Sequence, residues 1–260
     1  MNSLPAVFIS HGAPTLLIDE GPTRTFLTGL AQLFAPPRAV LCISAHWETA
    51  TPKVSGTEKP GTIHDFYGFP DLLYQASYPA PGDPALAKRV VGMLCDAGLD
   101  ANTDPDRGLD HGAWVPLKLA YPAADIPVVQ LSLQPVLGPR HHIRLGQALR
   151  PLRDDGVLIM GSGGATHNLS EFRGQSIDAA PPAYVQAFDV WLEETLTSGN
   201  TESLVNYEQE APSARRNHPT VEHFMPLFVA LGAAAMDTKA SKIHSAFTYG
   251  VLSMAAYAWE

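Results

Sequence analysis

Cysteine, basic charge and long apolar runs are all scarce in this chain of 260 residues. The two cysteines, Cys42 and Cys95, form no CxxC pair, so the sequence predicts reduced interior thiols and neither a disulfide framework nor a thiolate zinc site. Seventeen Lys and Arg residues stand against 26 Asp and Glu residues, and no basic run is interleaved with aromatic residues. This composition argues against a nucleic-acid partner.

Segments that would direct the chain into a membrane are also missing from the sequence. Residues 1–5 have neither the positive charge nor the apolar stretch of a signal peptide. The longest apolar run, around residues 227–236, is interrupted by Gly232 and is too short to span a bilayer. We therefore expect a cytoplasmic protein that has no membrane partner.

Apolar runs alternate with helical patterns along the chain. Residues 5–10, 39–45, 126–133 and 157–160 have the character of buried strands, and residues 247–259 predict one or two closing strands. Helical spacing is found over 23–34, 84–97, 141–153, 182–197 and 219–231, and residues 49–81 predict a long ordered loop or hairpin. The pattern predicts a single α/β domain over residues 1–260, with a central, mostly parallel or mixed sheet flanked by helices on both faces.

Ten histidines are the most informative feature that is present. His11 and His46 each follow one of the first two predicted strands. If these strands run parallel, both imidazoles emerge at the same carboxyl edge and can share a ligand. Each histidine could instead make only local hydrogen bonds at a strand end, but the matched pair favours a site.

A third histidine, His167, follows the predicted strand at 157–160 and a Gly-Ser-Gly-Gly segment. That segment matches neither a phosphate-binding loop nor a nucleophile elbow, so we interpret its glycines as a sharp turn that presents His167. Glu222 and His223 are adjacent in the predicted helix 219–231, about 100° apart around its axis. One of them could bind a metal while the other orients it, and His218 is expected to have a structural role at the helix start.

Two His-Asp pairs add further candidates. His111 follows Asp110, which could set its tautomer and pKa for acid–base chemistry, although a helix-capping role is equally compatible with the sequence. His64 and Asp65 lie in an aromatic loop with Tyr67, which suits either a wall that contacts an aromatic ligand or a structural turn. His141, His142 and His244 carry little functional signal, and we expect the first two to be solvated.

Several imidazoles without clustered cysteines favour Zn, Fe, Cu or Ni. Seven segments in chain order resemble motifs of the LigB-like extradiol ring-cleavage dioxygenases, and within that class the DOPA 4,5-dioxygenase family: SHGAP (10–14), SAHW (44–47), HDFYGFP (64–70), DHGAWVPL (110–117), PVVQLS (127–132), THNL (166–169) and HPTVEHFMPL (218–227).

The resemblance implies an enzyme that opens a small catechol, DOPA-like or other, with O2 at a mononuclear non-haem Fe(II), with zinc as a possible occupant after purification. It implies metal ligation by His11, His46 and His223, with Glu222 as the competing candidate for the last position. It implies that His167 is a further ligand or a base and that His111 is an acid–base residue.

We also expect His64 and Tyr67 to contact the substrate, and Trp47 and Phe66 are further candidates for the ring pocket. The assembly is expected to be a monomer or small homo-oligomer. The alternative function is a zinc hydrolase that uses the same histidines, with Glu222 as the base.

Overall fold

The apolar runs form the central strands of an eight-stranded sheet in the computed structural model, which describes residues 3–235 and 238–260. Met1 and Asn2 of the N-terminal segment, and Met236 at the end of the apolar run, lie outside the described residues. The expected α/β fold, with helices around a mixed sheet, is confirmed.

The structure contains ten strands and ten α-helices within the described residues. The strands are β1 (Ala6–Ser10), β2 (Ala39–Glu48), β3 (Lys53–Ser55), β4 (Asn102–Asp104), β5 (Val128–Leu133), β6 (Val157–Gly163), β7 (Ser241–His244), β8 (Phe247–Thr248), β9 (Leu252–Ser253) and β10 (Ala256–Trp259). The helices are α1 (Pro22–Gly29), α2 (Asp71–Gln75), α3 (Pro84–Asp96), α4 (His111–Ala120), α5 (Gly138–Leu149), α6 (Ala183–Ser198), α7 (Thr201–Val205), α8 (Tyr207–Glu210), α9 (Ala214–Asn217) and α10 (Met225–Ala233).

Strand order places the ends of β1 and β2 at one edge of the sheet, on either side of β6. The order is β4-β3-β5-β2-β6-β1-β10-β7, and both β1 and β2 run parallel to β6. Ser10 of β1 is paired with Gly163, and Ser44 of β2 is paired with Ser162. The first two strands are therefore parallel and share a carboxyl edge, but they are not direct neighbours.

Alternate side chains of each central strand enter different cores. In β1, Ala6 and Phe8 belong to a core with α3, α5, α6 and α10, whereas Val7 and Ile9 belong to a core with α1 and α4. This two-residue period follows from strand geometry and explains why the central strands are apolar on both faces. Among the described residues, no helix combines the length and the apolar character needed to cross a bilayer.

Two expectations about local structure are wrong. Helix α10 begins at Met225, and the preceding residues 218–224 form bends and turns, because Pro226, and not Pro219, occupies the first turn of the helix. Cys42 is buried as expected, but Cys95 is exposed on α3. Glu222 and His223 therefore lie on an irregular segment and are not arranged around a helix.

His142 is buried, which corrects the expectation that it is solvated. Its Nδ1 lies 2.7 Å from Gly138 O, which can only accept, and its Nε2 accepts a hydrogen bond from Gln134 N at 3.3 Å. These partners require the neutral ring, and burial lowers the pKa of His142 to about 4.

Acidification should therefore destabilise the fold through His142. The folded-state pKa lies below the ordinary value of 6.5, so its contribution is complete above pH 6.5 and is lost as pH falls towards 4. The loss is on the order of 3 kcal/mol in the free energy of unfolding. Chemical denaturation of metal-free protein at pH 7 and pH 4 measures it, with H142N as the reference. A stability difference between wild type and H142N that does not change with pH would contradict this assignment.

Candidate metal centre

Three histidines from distant parts of the chain converge at the carboxyl edge of the sheet. One nitrogen of each of His11, His46 and His223 lies within 4.8 Å of those of the other two. The Nε2 atoms of His11 and His46 are 3.0 Å apart. His11 and His223 are buried, and His46 is half-buried.

These rings come together because two glycines let the backbone pass very close to neighbouring atoms. His223 O accepts a hydrogen bond from Gly164 N at 2.9 Å, and a Cβ on Gly163 would lie 2.1 Å from that same oxygen. A Cβ on Gly112 would lie 2.4 Å from Ser44 Oγ and 3.1 Å from the Cε1 of His11. A side chain at either position would push apart the elements that carry the three histidines.

Hydrogen bonds orient two of the rings so that Nε2 is free. Ser162 Oγ donates to Gly112 O, so it accepts from His11 Nδ1, 3.0 Å away. His223 Nδ1 lies 2.9 Å from a carboxylate oxygen of Glu222 and donates to it. His46 Nδ1 faces the Asp65 carboxylate at 3.5 Å. Engagement of Nδ1 leaves the Nε2 lone pair for a ligand.

Burial and mutual repulsion keep the histidine cluster neutral. Burial, followed by the neighbouring imidazoles, holds the pKa of His11 and of His223 well below the ordinary value. Burial lowers the pKa of His46 and of His167 to about 4. Neutral imidazole is the form that binds metal ions, so the cluster presents ligands at neutral pH without first losing protons.

The donor set fits a divalent transition metal. Imidazole nitrogens bind such ions at about 2.1 Å, and two ligands at that distance lie roughly 3 Å apart when the angle between them is near 90°. The 3.0 Å between the Nε2 atoms of His11 and His46 agrees with this separation. The candidate site offers three imidazoles, and no thiolates cluster with them among the described residues. This set of ligands is compatible with Fe or Zn.

His167 lies beside His223 but in a different plane. The two rings are stacked, with centroids 3.4 Å apart and an interplanar angle of 9°. An imidazole nitrogen binds a metal that lies in the plane of its ring, at about 2.1 Å. An ion bound by His223 would therefore be too far from the His167 nitrogens to form a bond with them. The stacking favours the role of a base for His167 over that of a ligand.

His111 completes the cluster, and its acidic partner is Asp65. The ring centroid of His111 is 4.0 Å from that of His46. Asp65 accepts a hydrogen bond from His111 N at 2.9 Å, and its second oxygen is 3.0 Å from His111 Nδ1. Although partial burial opposes ionisation, these contacts with His111 and the nearby His46 lower the pKa of Asp65 to about 2. Asp65 is therefore a carboxylate that faces two histidines of the site.

The expectation that Asp110 sets the tautomer of His111 is wrong. Asp110 is fully buried and caps helix α4, where it accepts from Ala113 N. It also accepts from Ser44 Oγ at 2.6 Å, from Arg107 at 2.7 Å and from Gln130 Nε2 at 2.8 Å. These contacts fix the start of α4 against β2, and they position the backbone of His111 but not its ring.

The histidine cluster opens into a cavity of about 370 Å³ with largely aromatic and aliphatic walls. Phe66 is in edge contact with His111, with ring centroids 5.8 Å apart, and Phe69 and Phe172 are further wall residues. Tyr67 stands at the mouth and is 91% exposed. The volume is sufficient for one small aromatic ring with a short substituent.

Other candidates from the sequence lie outside this cavity. His64 does not line it; His64 Nε2 is 2.9 Å from Ala76 O, and the ring packs against Phe66 and Trp114. Trp47 is buried beneath Arg107, and it also does not line the cavity. His218 is buried with Nε2 2.9 Å from Ala165 O, which is a structural contact, although no helix begins there.

Asp65 and Ser162 are site residues that carry no functional prediction from the sequence. The His64-Asp65 pair drew attention to its histidine, whereas the carboxylate is the member that reaches the site. The Gly-Ser-Gly-Gly pattern predicts a turn at Ser162, but Ser162 lies on β6, where it orients His11. Its position at the carboxyl end of a buried strand was the available signal.

Glu222 is expected to orient His223 without binding the metal. Glu222→Ala should weaken Zn(II) binding about 10- to 100-fold, and Glu222→Gln much less, because the glutamine oxygen can still accept from His223 Nδ1. Competition with a chromophoric chelator measures both affinities. An equal and near-complete loss of binding in the two variants would instead make Glu222 a ligand.

Comparisons with known proteins show which family the chain resembles. The sequence model of a family described as the catalytic LigB subunit of aromatic ring-opening dioxygenase matches residues 5–259. A 4,5-DOPA dioxygenase extradiol from Beta vulgaris is 50% identical over 254 residues, which cover 96% of this chain and 94% of that protein. One from Escherichia coli K12 is 38% identical over 234 residues, covering 88% and 85%. A crystal structure of an uncharacterized E. coli K12 protein has a TM-score of 0.80 at 32% identity, covering 99% of this chain and 100% of that one.

Proposed function

Because the chain belongs to the LigB family of aromatic ring-opening dioxygenases, and is therefore an extradiol ring-cleaving enzyme, we propose that it opens a small catechol at one Fe(II) ion held by His11, His46 and His223. The observation that carries this proposal is the convergence of three imidazoles, two buried and one half-buried, at the inner end of an aromatic cavity. The names of the relatives in Beta vulgaris and E. coli support a DOPA-like catechol as the substrate.

The metal, when bound, acidifies the catechol hydroxyls and lets electrons pass from the ring to O2. The chain supplies the remaining functions. Phe66 and the apolar walls orient the ring and limit the access of water. His167, whose ring is stacked on that of His223, accepts a proton from a catechol hydroxyl. His111 lines the cavity with its Nδ1 3.0 Å from the Asp65 carboxylate, and its other ring nitrogen donates a proton as the ring opens.

Anaerobic loading with Fe(II) tests the proposal. Metal-free protein is loaded under nitrogen, mixed with L-DOPA or 4-ethylcatechol, and then exposed to O2. We expect uptake of one O2 per catechol and a yellow ring-opened product, and little of either with Zn(II). The absence of O2 uptake with every catechol tested would contradict the proposal.

The family and the relatives give no support to the hydrolase alternative. Zinc-loaded protein is accordingly not expected to hydrolyse aryl esters or amides.

A further inference from the structure

One wall of the cavity that contains the histidine cluster, the metal cavity, is formed by a loop. Residues 164–182 join β6 to α6 and contain neither a helix nor a strand; we call them the wall loop. His167, Leu169 and Phe172 line the metal cavity from this loop. Because no helix or strand ladder holds the wall loop, its position depends on contacts with other elements.

Two hydrogen bonds to main-chain carbonyls fix the beginning of the wall loop. His167 N donates to Asn217 O at 2.9 Å. The buried side chain of Asn168 donates from Nδ2 to Arg216 O at 2.6 Å. Both acceptors belong to the backbone of α9, so these bonds hold His167 without any contribution from the side chain of Arg216.

The middle of the wall loop is held by a paired carboxylate and guanidinium. Arg216 donates to Glu171 from Nε to Oε1 at 2.8 Å and from Nη2 to Oε2 at 2.9 Å. The guanidinium lies over the ring of Tyr184, 3.7 Å from its centroid, and the Tyr184 hydroxyl donates to Glu171 Oε2 at 3.0 Å. A two-point pairing of this kind fixes the orientation of both groups as well as their separation.

Glu171 lies between the two apolar residues of the wall loop that line the metal cavity. It directly precedes Phe172 and follows Leu169 by two residues. Leu169 is 49% exposed, and Phe172 is half-buried, with its ring centroid 5.5 Å from that of Tyr249. Phe172 packs against a cluster of only four buried apolar residues, which is separate from the two main cores. This limited burial makes the pairing with Arg216 important for the position of the wall.

We propose that Arg216 is a positioning residue for substrate binding, because through Glu171 it holds Leu169 and Phe172 against the bound ring. This inference rests on the proposed function, since the ring is that of the catechol. The main-chain bonds and the side-chain pair act on different parts of the wall loop. Removal of the Arg216 side chain therefore frees the apolar wall and leaves His167 in place, so binding weakens while the chemical step continues.

Arg216→Ala and Glu171→Gln test this division in Fe(II)-loaded protein. We expect each variant to raise KM for 4-ethylcatechol about three- to fivefold, the upper range for one exposed ion pair. The value of kcat should change less than about twofold, and the anaerobic Kd for 4-ethylcatechol should rise with KM. Arg216→Lys should recover only part of the loss, because an ammonium keeps the charge but not the two-point pairing. A general loss of folded enzyme would instead lower kcat and leave KM unchanged.

Arg215→Ala is the matched control. Arg215 is the preceding residue, its guanidinium lies 3.6 Å from the carboxylate of Glu208, and it does not line the metal cavity. The variant removes the same side chain and the same charge, and it should keep the wild-type KM. An equal rise in KM for Arg215→Ala and Arg216→Ala would assign the effect to net charge and would overturn the inference.

Trypsin cleavage after Arg173 reports on the wall loop without any catechol. Arg173 is exposed in this loop, and cleavage there requires the loop to open locally. Arg216→Ala and Glu171→Gln should be cut after Arg173 about three- to fivefold faster than wild type, in proportion to the lost pairing. Arg215→Ala should be cut at the wild-type rate. The masses of the fragments identify the bond that is cleaved.

The two proposals fail in different ways. If Fe(II)-loaded protein neither binds nor opens any catechol, the proposed function fails, and the trypsin experiment still tests whether Arg216 holds the wall loop. If 4-ethylcatechol is opened but Arg216→Ala leaves KM unchanged or lowers only kcat, the inference is overturned. Equal rates of cleavage after Arg173 in wild type, Arg216→Ala and Glu171→Gln would overturn it as well.

Discussion

His223→Ala is expected to eliminate both metal binding and ring cleavage. His223 supplies one of three converging nitrogens, and Glu222 already orients its ring for that purpose. Loss of an orienting contact alone typically weakens metal binding 10- to 100-fold, so removal of the ligand itself should exceed about 100-fold. Metal content after dialysis against Fe(II) or Zn(II), measured by mass spectrometry, together with O2 uptake, provides the result.

His141→Ala is the matched control for this experiment. His141 is half-buried on α5, where Nε2 lies 2.9 Å from Gln134 Oε1, and it does not line the metal cavity. This variant should bind one metal ion and retain wild-type turnover. Metal content in His223→Ala equal to that of His141→Ala would exclude His223 as a ligand.

His167→Gln should separate metal binding from catalysis. Because its ring is stacked on His223 and lies outside that ring's plane, we expect the variant to keep its metal but to lose about 10²- to 10⁴-fold in kcat, the range for a general acid or base. The same comparison applied to His111→Gln should give a loss of similar size with the metal retained. Metal content and single-turnover kinetics with 4-ethylcatechol measure the two effects separately.

The alternative for His167 predicts a different pattern. If His167 is a ligand, His167→Gln loses metal affinity and activity together, as His223→Ala does. If it is a base, raising the pH should partly restore turnover with catechols whose hydroxyls are more acidic, because such substrates need less help to lose a proton. Substrate acidity should have no such effect on a variant that no longer binds the metal.

The placement of His11 and His46 at the carboxyl edge of the sheet could be predicted from the sequence, because local sequence features mark where strands end. His11 and His46 each follow an apolar run, and parallel strands bring such ends to one edge. The position of β6 between β1 and β2 could not be predicted from local features, because strand order depends on the face of the sheet along which each connecting helix passes. The expected proximity nevertheless holds, because β6 adds only one strand spacing, about 5 Å, between them.

The partners of the histidines were harder to predict than the histidines themselves. Sequence adjacency suggested Asp110 for His111, yet the ring faces Asp65, which is reached through the folded loop between β3 and α2. Adjacent residues on an extended segment point in different directions, so a neighbour in sequence is often a poor candidate for a side-chain contact. The start of α10 is also difficult to predict, because two prolines, Pro219 and Pro226, each satisfy the signal for a helix start.

The three converging histidines also have a consequence for the stability of the folded protein. His11 lies near one end of the chain and His223 near the other. A metal ion bound by both, as proposed, would therefore join two distant segments, and it could be held only after the N-terminal strand and the segment before α10 have docked on β6. Such an ion strengthens the native state by about 4 kcal/mol when its free concentration is 1,000 times its Kd. Loading folded, metal-free protein with Fe(II) or Zn(II) should therefore raise its free energy of unfolding by fastening both ends of the chain to the sheet.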